Sequence, residues 1–140
     1  MKKVLVVDDD IVMFRLFQVQ VKRAGCDGYF FCDAQSALEQ LQDIQPDLAV
    51  LDYNLPDLDG AELYKRIRRT AGLESIPIVF VTGSVQDEDL KAIESLGADA
   101  VLSKPFSPRI LQNLIKKLLN IGWRKRRSTS LYLQMHSAGS

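Results

Sequence analysis

A chain of 140 residues with 46% apolar side chains supplies one domain with an ordinary core. Its 18 basic and 18 acidic residues balance, yet four of the basic ones form the run Arg124 to Arg127, so residues 1–122 hold 14 basic against 18 acidic residues, a net charge of −4. An acidic body argues against a nucleic-acid-binding face, and no apolar stretch approaches the ~18 residues of a membrane span. In chain order, Val4-Leu-Val-Val ends at Asp8-Asp9 and predicts a first buried strand. Ile11 to Ala24 predicts a helix stopped by Gly25, with Val12, Leu16, Val19 and Arg23 along one stripe. Tyr29-Phe-Phe-Cys32 is a short aromatic strand. Ala34 to Leu41 is helical with Asp33 as its cap, and Pro46 marks the loop before the strand Leu48-Ala-Val-Leu-Asp52. Asp57 reads as a turn acid. Asp59-Gly-Ala-Glu62 opens a third helix as a capping box and continues through Ile67, with Lys65, Arg66, Arg68 and Arg69 on its outer face.

Pro77 precedes the strand Ile78-Val-Phe-Val-Thr82, and Ser84-Val-Gln-Asp87 is a capping signal for a helix to Leu96 that Gly97 stops. Ala100-Val-Leu-Ser is the last strand of the series and leads into Lys104-Pro105. Ser107-Pro108 sets a cap and a first-turn proline before a helix to Leu119. Strands that alternate with helices in this way imply an α/β fold with a parallel sheet and right-handed crossovers. Residues 121–140 keep no sustained period: they are basic, then rich in Ser and Thr. They read as a linker stub, a short extension or a cloning-derived addition, outside a domain of residues 1–120. The basic run reads as a solvated tail, with phosphate or membrane contact as the sharper alternative. Cys26 and Cys32 have no Cys-x-x-Cys spacing and read as buried free thiols in a reducing cytosol. The amino terminus turns acidic at Asp8, too early for a signal peptide, so a soluble, cytoplasmic protein is expected.

Open α/β sheets bind ligands at the carboxyl ends of their strands. Asp8, Asp9, Asp52, Thr82 and Lys104 all fall at such ends, so they are expected to converge on one rim. Three carboxylates held together repel unless a cation sits among them, and hard oxygen ligands suit Mg²⁺. Lys104 supplies a point charge for a phosphoryl oxygen and Thr82 a hydroxyl donor, which together with a carboxylate nucleophile make up a site for an aspartyl-phosphate. Taken singly, each residue has an ordinary role: a capping acid, a strand-end hydroxyl, a solvated lysine. Chance explains the set far less well than it explains any member.

These residues carry a resemblance. Val6-Val-Asp8-Asp9-Asp10, Leu51-Asp52-Tyr-Asn-Leu-Pro56 with Gly60, Val81-Thr82-Gly83 and Lys104-Pro105-Phe106, with Asp9, Asp52, Thr82 and Lys104 spaced by 43, 30 and 22 residues, are similar to the receiver domain of two-component response regulators, of the chemotaxis-regulator type. The similarity spans residues 2–120. It implies a flavodoxin-like (βα)5 doubly wound sheet of five parallel strands in the order 2-1-3-4-5. It implies that Asp52 is the phosphoacceptor, that Asp8, Asp9, Asp52 and the backbone carbonyl of Asn54 hold Mg²⁺, and that Lys104 pairs with the phosphoryl group. The Lys104–Pro105 peptide is expected to be cis. Thr82 is expected to move toward the phosphoryl oxygen and so alter a surface formed by the fourth helix, fifth strand and fifth helix. Where the family commonly has an aromatic switch residue, this chain has Val101, which has no ring to swing. Asn54 and Ser84 occupy positions that tune phosphoryl lifetime, and neither is an acid or base suited to activating water.

The resemblance implies a histidine kinase or phosphotransfer domain as phosphodonor, since His136 is the sole histidine and no Gly-rich phosphate loop is present. The implied outcome is a biased two-state surface for a downstream target protein or a homodimer, without membrane or direct nucleic-acid contact. Such a chain catalyses only its own phosphorylation and dephosphorylation and is not a turnover enzyme. A stand-alone receiver and a piece of a larger regulator or hybrid kinase are both expected possibilities. The alternative is a receiver-like interaction module that is never phosphorylated, against which the complete acidic trio argues. A phosphatase with an aspartyl-phosphate intermediate would want an acid where Asn54 stands, and a cap domain for which the chain has no length.

Overall fold

The computed structural model describes residues 1–83, 86–119 and 131–133. Within them the chain runs β1 (Lys3–Val7), α1 (Ile11–Arg23), β2 (Asp27–Phe31), α2 (Ala34–Ile44), β3 (Leu48–Asp52), α3 (Gly60–Arg68), β4 (Ile78–Thr82), α4 (Asp87–Leu96), β5 (Ala100–Ser103), α5 (Pro108–Leu119) and β6 (Leu131–Leu133). The strands are parallel and ordered β2-β1-β3-β4-β5-β6. The first five give the flavodoxin-like 2-1-3-4-5 order expected from the sequence. β6 is an addition: residues 131–133, which the sequence sets outside the fold, run beside β5 with Ala100 opposite Leu131. Three residues carry no period of their own, and the unpaired edge of β5 provides the ladder that organises them. Among the described residues, no helix is long and apolar enough to cross a membrane.

Alternation along each strand divides the core into two layers. Val4, Val6, Val50, Val79, Val81 and Leu102 pack with Phe17 and Val21 of α1 and Leu111, Leu114 and Ile115 of α5. Leu5, Val7, Leu51, Phe80 and Val101 pack with Leu41 of α2, Leu63 and Ile67 of α3 and Ile93 of α4. Covered on both faces, β3 and β4 are buried at every position, which is why they read as unbroken apolar runs.

Several elements differ in detail from the sequence reading. In α1 the buried face is Phe17, Gln20 and Val21, with Met13, Leu16 and Ala24 packed beside it, while Val12 is 79% exposed and Val19 37% exposed. Two apolar stripes compete at helical spacing here. The one containing Phe17 wins, because the larger ring buries more area and meets Phe106 at 6.2 Å between ring centres. β2 begins two residues earlier than its aromatic run suggests, drawn in by pairing of Asp27 and Gly28 with Lys3 and Val4. α2 continues to Ile44, whose side chain is buried, and ends at Gln45 in the left-handed region (φ 50°). Arg68 is turned inward: its guanidinium donates to the carbonyls of Leu73 (3.3 Å) and Ile76 (2.7 Å), lies 4.9 Å from the Tyr64 ring centre, and pairs with Asp99 at 3.8 Å. The carbonyls of the loop between α3 and β4 supply the partners that an outer-face position would lack. Cys26 is half-buried and Cys32 exposed, so the pair is not a buried one; β2 lies at the sheet edge, where cover is thinner. The cap of α4 is Gln86, without a side-chain cap hydrogen bond, and Ser84 lies outside the described residues. Gly97, in the left-handed region (φ 85°), closes α4 as the sequence predicts.

Candidate functional site

The strand ends position the site. Asp8 follows β1, and its backbone N–H donates to the Phe31 carbonyl at 3.0 Å. Its Oδ1 accepts the Asp10 N–H at 2.9 Å, and Asp10 in turn caps α1 by accepting from Val12 (2.9 Å) and Met13 (3.4 Å). The three successive acids therefore divide their work: Asp10 serves the helix, and Asp8 and Asp9 remain for the site. Asp52 closes β3, and its Oδ1 accepts the Asn54 N–H at 2.9 Å. Lys104, just past β5, holds its Nζ 3.2 Å from Asp8 Oδ2 and 3.7 Å from Asp52 Oδ2. Its backbone N–H donates to the Thr82 carbonyl at 2.8 Å, and the Lys104–Pro105 peptide is cis. Thr82 is wholly buried, with Oγ1 accepting from Asn54 Nδ2 at 3.4 Å.

One ligand oxygen from each of Asp8, Asp9 and Asp52 lies within 4.8 Å of the others, with Asp9 exposed and the other two buried. Burial pushes the Asp52 carboxyl above its usual range; the Asn54 N–H opposes this, the Asp8 charge adds to it, and Lys104 opposes it. Asp8 Oδ2 is buried and its contact with Lys104 is ionic, without an aligned hydrogen bond. The lysine thus offsets part of the repulsion and leaves the oxygens under-coordinated. Hard anionic oxygens, two of them buried and one open to solvent, fit a divalent cation that keeps water in its shell.

The loop between β3 and α3 is fixed from both sides. Asp57 accepts from the N–H groups of Ala34 (3.1 Å) and Gln35 (3.0 Å), so it caps α2 across the fold while Asp33 caps the same helix locally through Ser36. Those amides hold the Asp57 carboxyl below its usual range. Gly60 donates to the Tyr53 carbonyl at 3.1 Å, and a Cβ there would stand 2.8 Å from the Tyr53 backbone, so the motif glycine is a matter of close approach. Asp59 caps α3 through Glu62 N–H (3.0 Å), whereas the Glu62 carboxylate pairs with Arg66 at 3.2 Å.

The structure therefore brings together Asp8, Asp9, Asp52, Asn54, Thr82 and Lys104. Val101 is buried beneath the site in the α2–α3–α4 layer, and Ser84 lies outside the described residues. The sequence reading missed the long-range cap of Asp57, the inward Arg68 and the buried hydroxyl of Ser103. Of these, only Asp57 had a local signal, an acid in a Pro-Asp turn, and nothing local names its partners.

A family model described as the response regulator receiver domain matches residues 4–116. The chain is 38% identical over 118 residues to the alkaline phosphatase synthesis transcriptional regulatory protein PhoP of Bacillus subtilis, covering 84% of this chain and 48% of that protein. It spans about half the length of the curated relatives it matches. The chemotaxis response regulator CheY4 of Vibrio cholerae superposes with a TM-score of 0.78 at 29% identity, over 85% of this chain and 99% of that one. The Mn(2+)-bound form of response regulator Rcp1 superposes with a TM-score of 0.70 at 27% identity, over 86% and 94% of the two chains. Family match and strand order agree over the same stretch of chain that carries the acidic rim, and on that agreement the protein belongs to the receiver domains of two-component response regulators, a family of signalling domains.

Proposed function

We propose that this receiver accepts a phosphoryl group on Asp52 from a phosphohistidine on a histidine kinase or phosphotransfer domain, in a Mg²⁺-dependent reaction. The observation that carries the reading is the carboxylate trio within 4.8 Å, with the Lys104 ammonium against two of its members. Asp8, Asp9, Asp52 and the Asn54 carbonyl would hold the cation; the carboxylate cluster supports the choice of donors, and the Mn(2+)-bound form of Rcp1 supports a divalent cation in a fold of this kind. When bound, Mg²⁺ offsets the charge of both carboxylates and phosphoryl oxygens, so that an anionic donor can approach. The chain's own groups do the rest. Asn54 N–H fixes one Asp52 oxygen and so orients the carboxylate. A P–O bond forms to Asp52 as the N–P bond of the donor breaks, and the departing imidazole keeps the bonding pair and takes a proton from solvent. Lys104 then moves its charge onto a phosphoryl oxygen and Thr82 donates its hydroxyl to another.

The unit that does this is residues 1–120. Asn54 and Ser84 bring no acid or base to activate water, so no unusually fast self-hydrolysis is expected. The altered charge at Asp52 biases the α4–β5–α5 face toward a downstream protein or a second copy of the chain. The test is the intact mass after incubation with Mg²⁺ and acetyl phosphate, a small-molecule phosphodonor. A gain of one phosphoryl mass, absent with EDTA and in Asp52→Ala, is the expected result. No gain under several donors, with cation binding intact, would instead favour a constitutive interaction module.

A further inference from the structure

This inference rests on the phosphoacceptor reading and concerns what Thr82 meets when it moves. Phe80 and Val101 pack in the α2–α3–α4 layer. Alternation therefore sends Thr82 and Ser103, each two residues further on, into that same layer at the mouth of the site. The β4–β5 register sets Thr82 opposite Ser103. Adjacent strands lie about 4.8 Å apart, so two hydroxyls at one register position on one face come into reach through a χ1 rotation. Both side chains are shut away from solvent, Thr82 at 0% and Ser103 at 2% exposure, and Ser103 Oγ has no hydrogen-bond partner among the described residues. A buried hydroxyl without a partner is destabilising, a penalty that alanine would not carry. A conformation in which Ser103 finds a partner recovers that cost. The bond that Thr82 Oγ1 accepts from Asn54 is long, at 3.4 Å, and is readily given up.

We propose that Ser103 is a positioning residue for the switch. When Thr82 turns its hydroxyl to a phosphoryl oxygen on Asp52, the Ser103 O–H donates to Thr82 Oγ1, giving a chain that runs from β5 through Thr82 to the phosphoryl group. A hydroxyl that accepts one hydrogen bond while donating another is polarised, so the two bonds strengthen each other. Val101 is already inward. The coupling of β4 to β5 therefore falls to the hydroxyl pair one side-chain repeat nearer the site.

The test compares the 140-residue wild type, Ser103→Ala and Ser103→Thr, with Mg²⁺ and beryllofluoride as the phosphoryl mimic. Two quantities are read: the melting temperature without the mimic, and the beryllofluoride concentration at half-saturation by ¹⁹F NMR. Ser103→Ala is expected to melt no lower than wild type without the mimic, yet to need roughly 2–10-fold more beryllofluoride, the value of one net hydrogen bond. Ser103→Thr is expected to bind as wild type does. Equal half-saturation in wild type and Ser103→Ala overturns the inference. So does an alanine variant that melts lower without the mimic, which would make the role one of packing. A wild type that takes up neither beryllofluoride nor phosphoryl mass overturns the phosphoacceptor reading itself, and this inference with it. A responding wild type with an unaffected alanine variant overturns the Ser103 assignment alone.

Discussion

Asp52 and Asp57 are five positions apart and of one residue type, yet their surroundings push them in opposite directions. Asp52 is buried beside Asp8, and its charged form is disfavoured; Asp57 is exposed, accepts two helix-start amides, and its charged form is favoured. The helix α2 N-terminus explains the second case, since its amides and dipole both prefer an anion. Asp57→Ala is expected to lower stability by ~1 kcal/mol at neutral pH, the usual value of a lost cap, reduced in high salt because the group faces solvent. The sign with pH follows from the depressed folded value. The contribution is complete above the unfolded carboxylate range and disappears as pH falls through the folded value, so the two proteins should converge in acid. Urea unfolding of both at several pH values checks this. A gap that persists undiminished at low pH would show that packing, not the charge, does the work.

For α1 the question is which face meets the sheet. Its sequence offers Val12 and Val19 on one side and Phe17 and Val21 on the other, and the helix buries the second set. Phe17→Ala should cost about 3–5 kcal/mol, since the cavity would open between the sheet, α5 and Phe106. Val12→Ser should stay within about 0.5 kcal/mol of wild type. Denaturant midpoints decide between the faces, and comparable losses in the two variants would contradict the observed orientation. The same selection by tertiary partners turned Arg68 inward, where two carbonyls, an aromatic face and Asp99 receive it.

For the molecule as a whole, folding is what gathers three carboxylates, and a cation that binds only the gathered set stabilises the folded state. Mg²⁺ should therefore raise the melting temperature, with a gain of about 2.7 kcal/mol at one hundred times the dissociation constant. Asp9 is exposed, so Asp9→Asn should leave the metal-free protein folded while flattening the Mg²⁺ response. A wild type whose melting temperature ignores Mg²⁺ would remove the cation from the site. At this level the sheet is also one strand wider than its alternating pattern foretells, because β5 offers an edge to residues 131–133.

The sequence by itself determined the order of strands and helices, the apolar runs of β3 and β4, the stops at Gly25 and Gly97, and the acids and hydroxyls at strand ends. Those features are local: burial on two faces forces unbroken apolar runs, and a strand end at a polar rim forces a charged residue next. The pairing of Asp8, Asp52 and Lys104 was legible for the same reason, since strand ends of one parallel sheet share a rim. Tertiary structure alone decided which stripe of α1 is buried, that Arg68 points inward, that Asp57 caps a helix 23 positions earlier in the chain, and that Ser103 stands opposite Thr82. Each of these depends on a partner distant in sequence, and a one-dimensional pattern records the residue but not the neighbour that satisfies it.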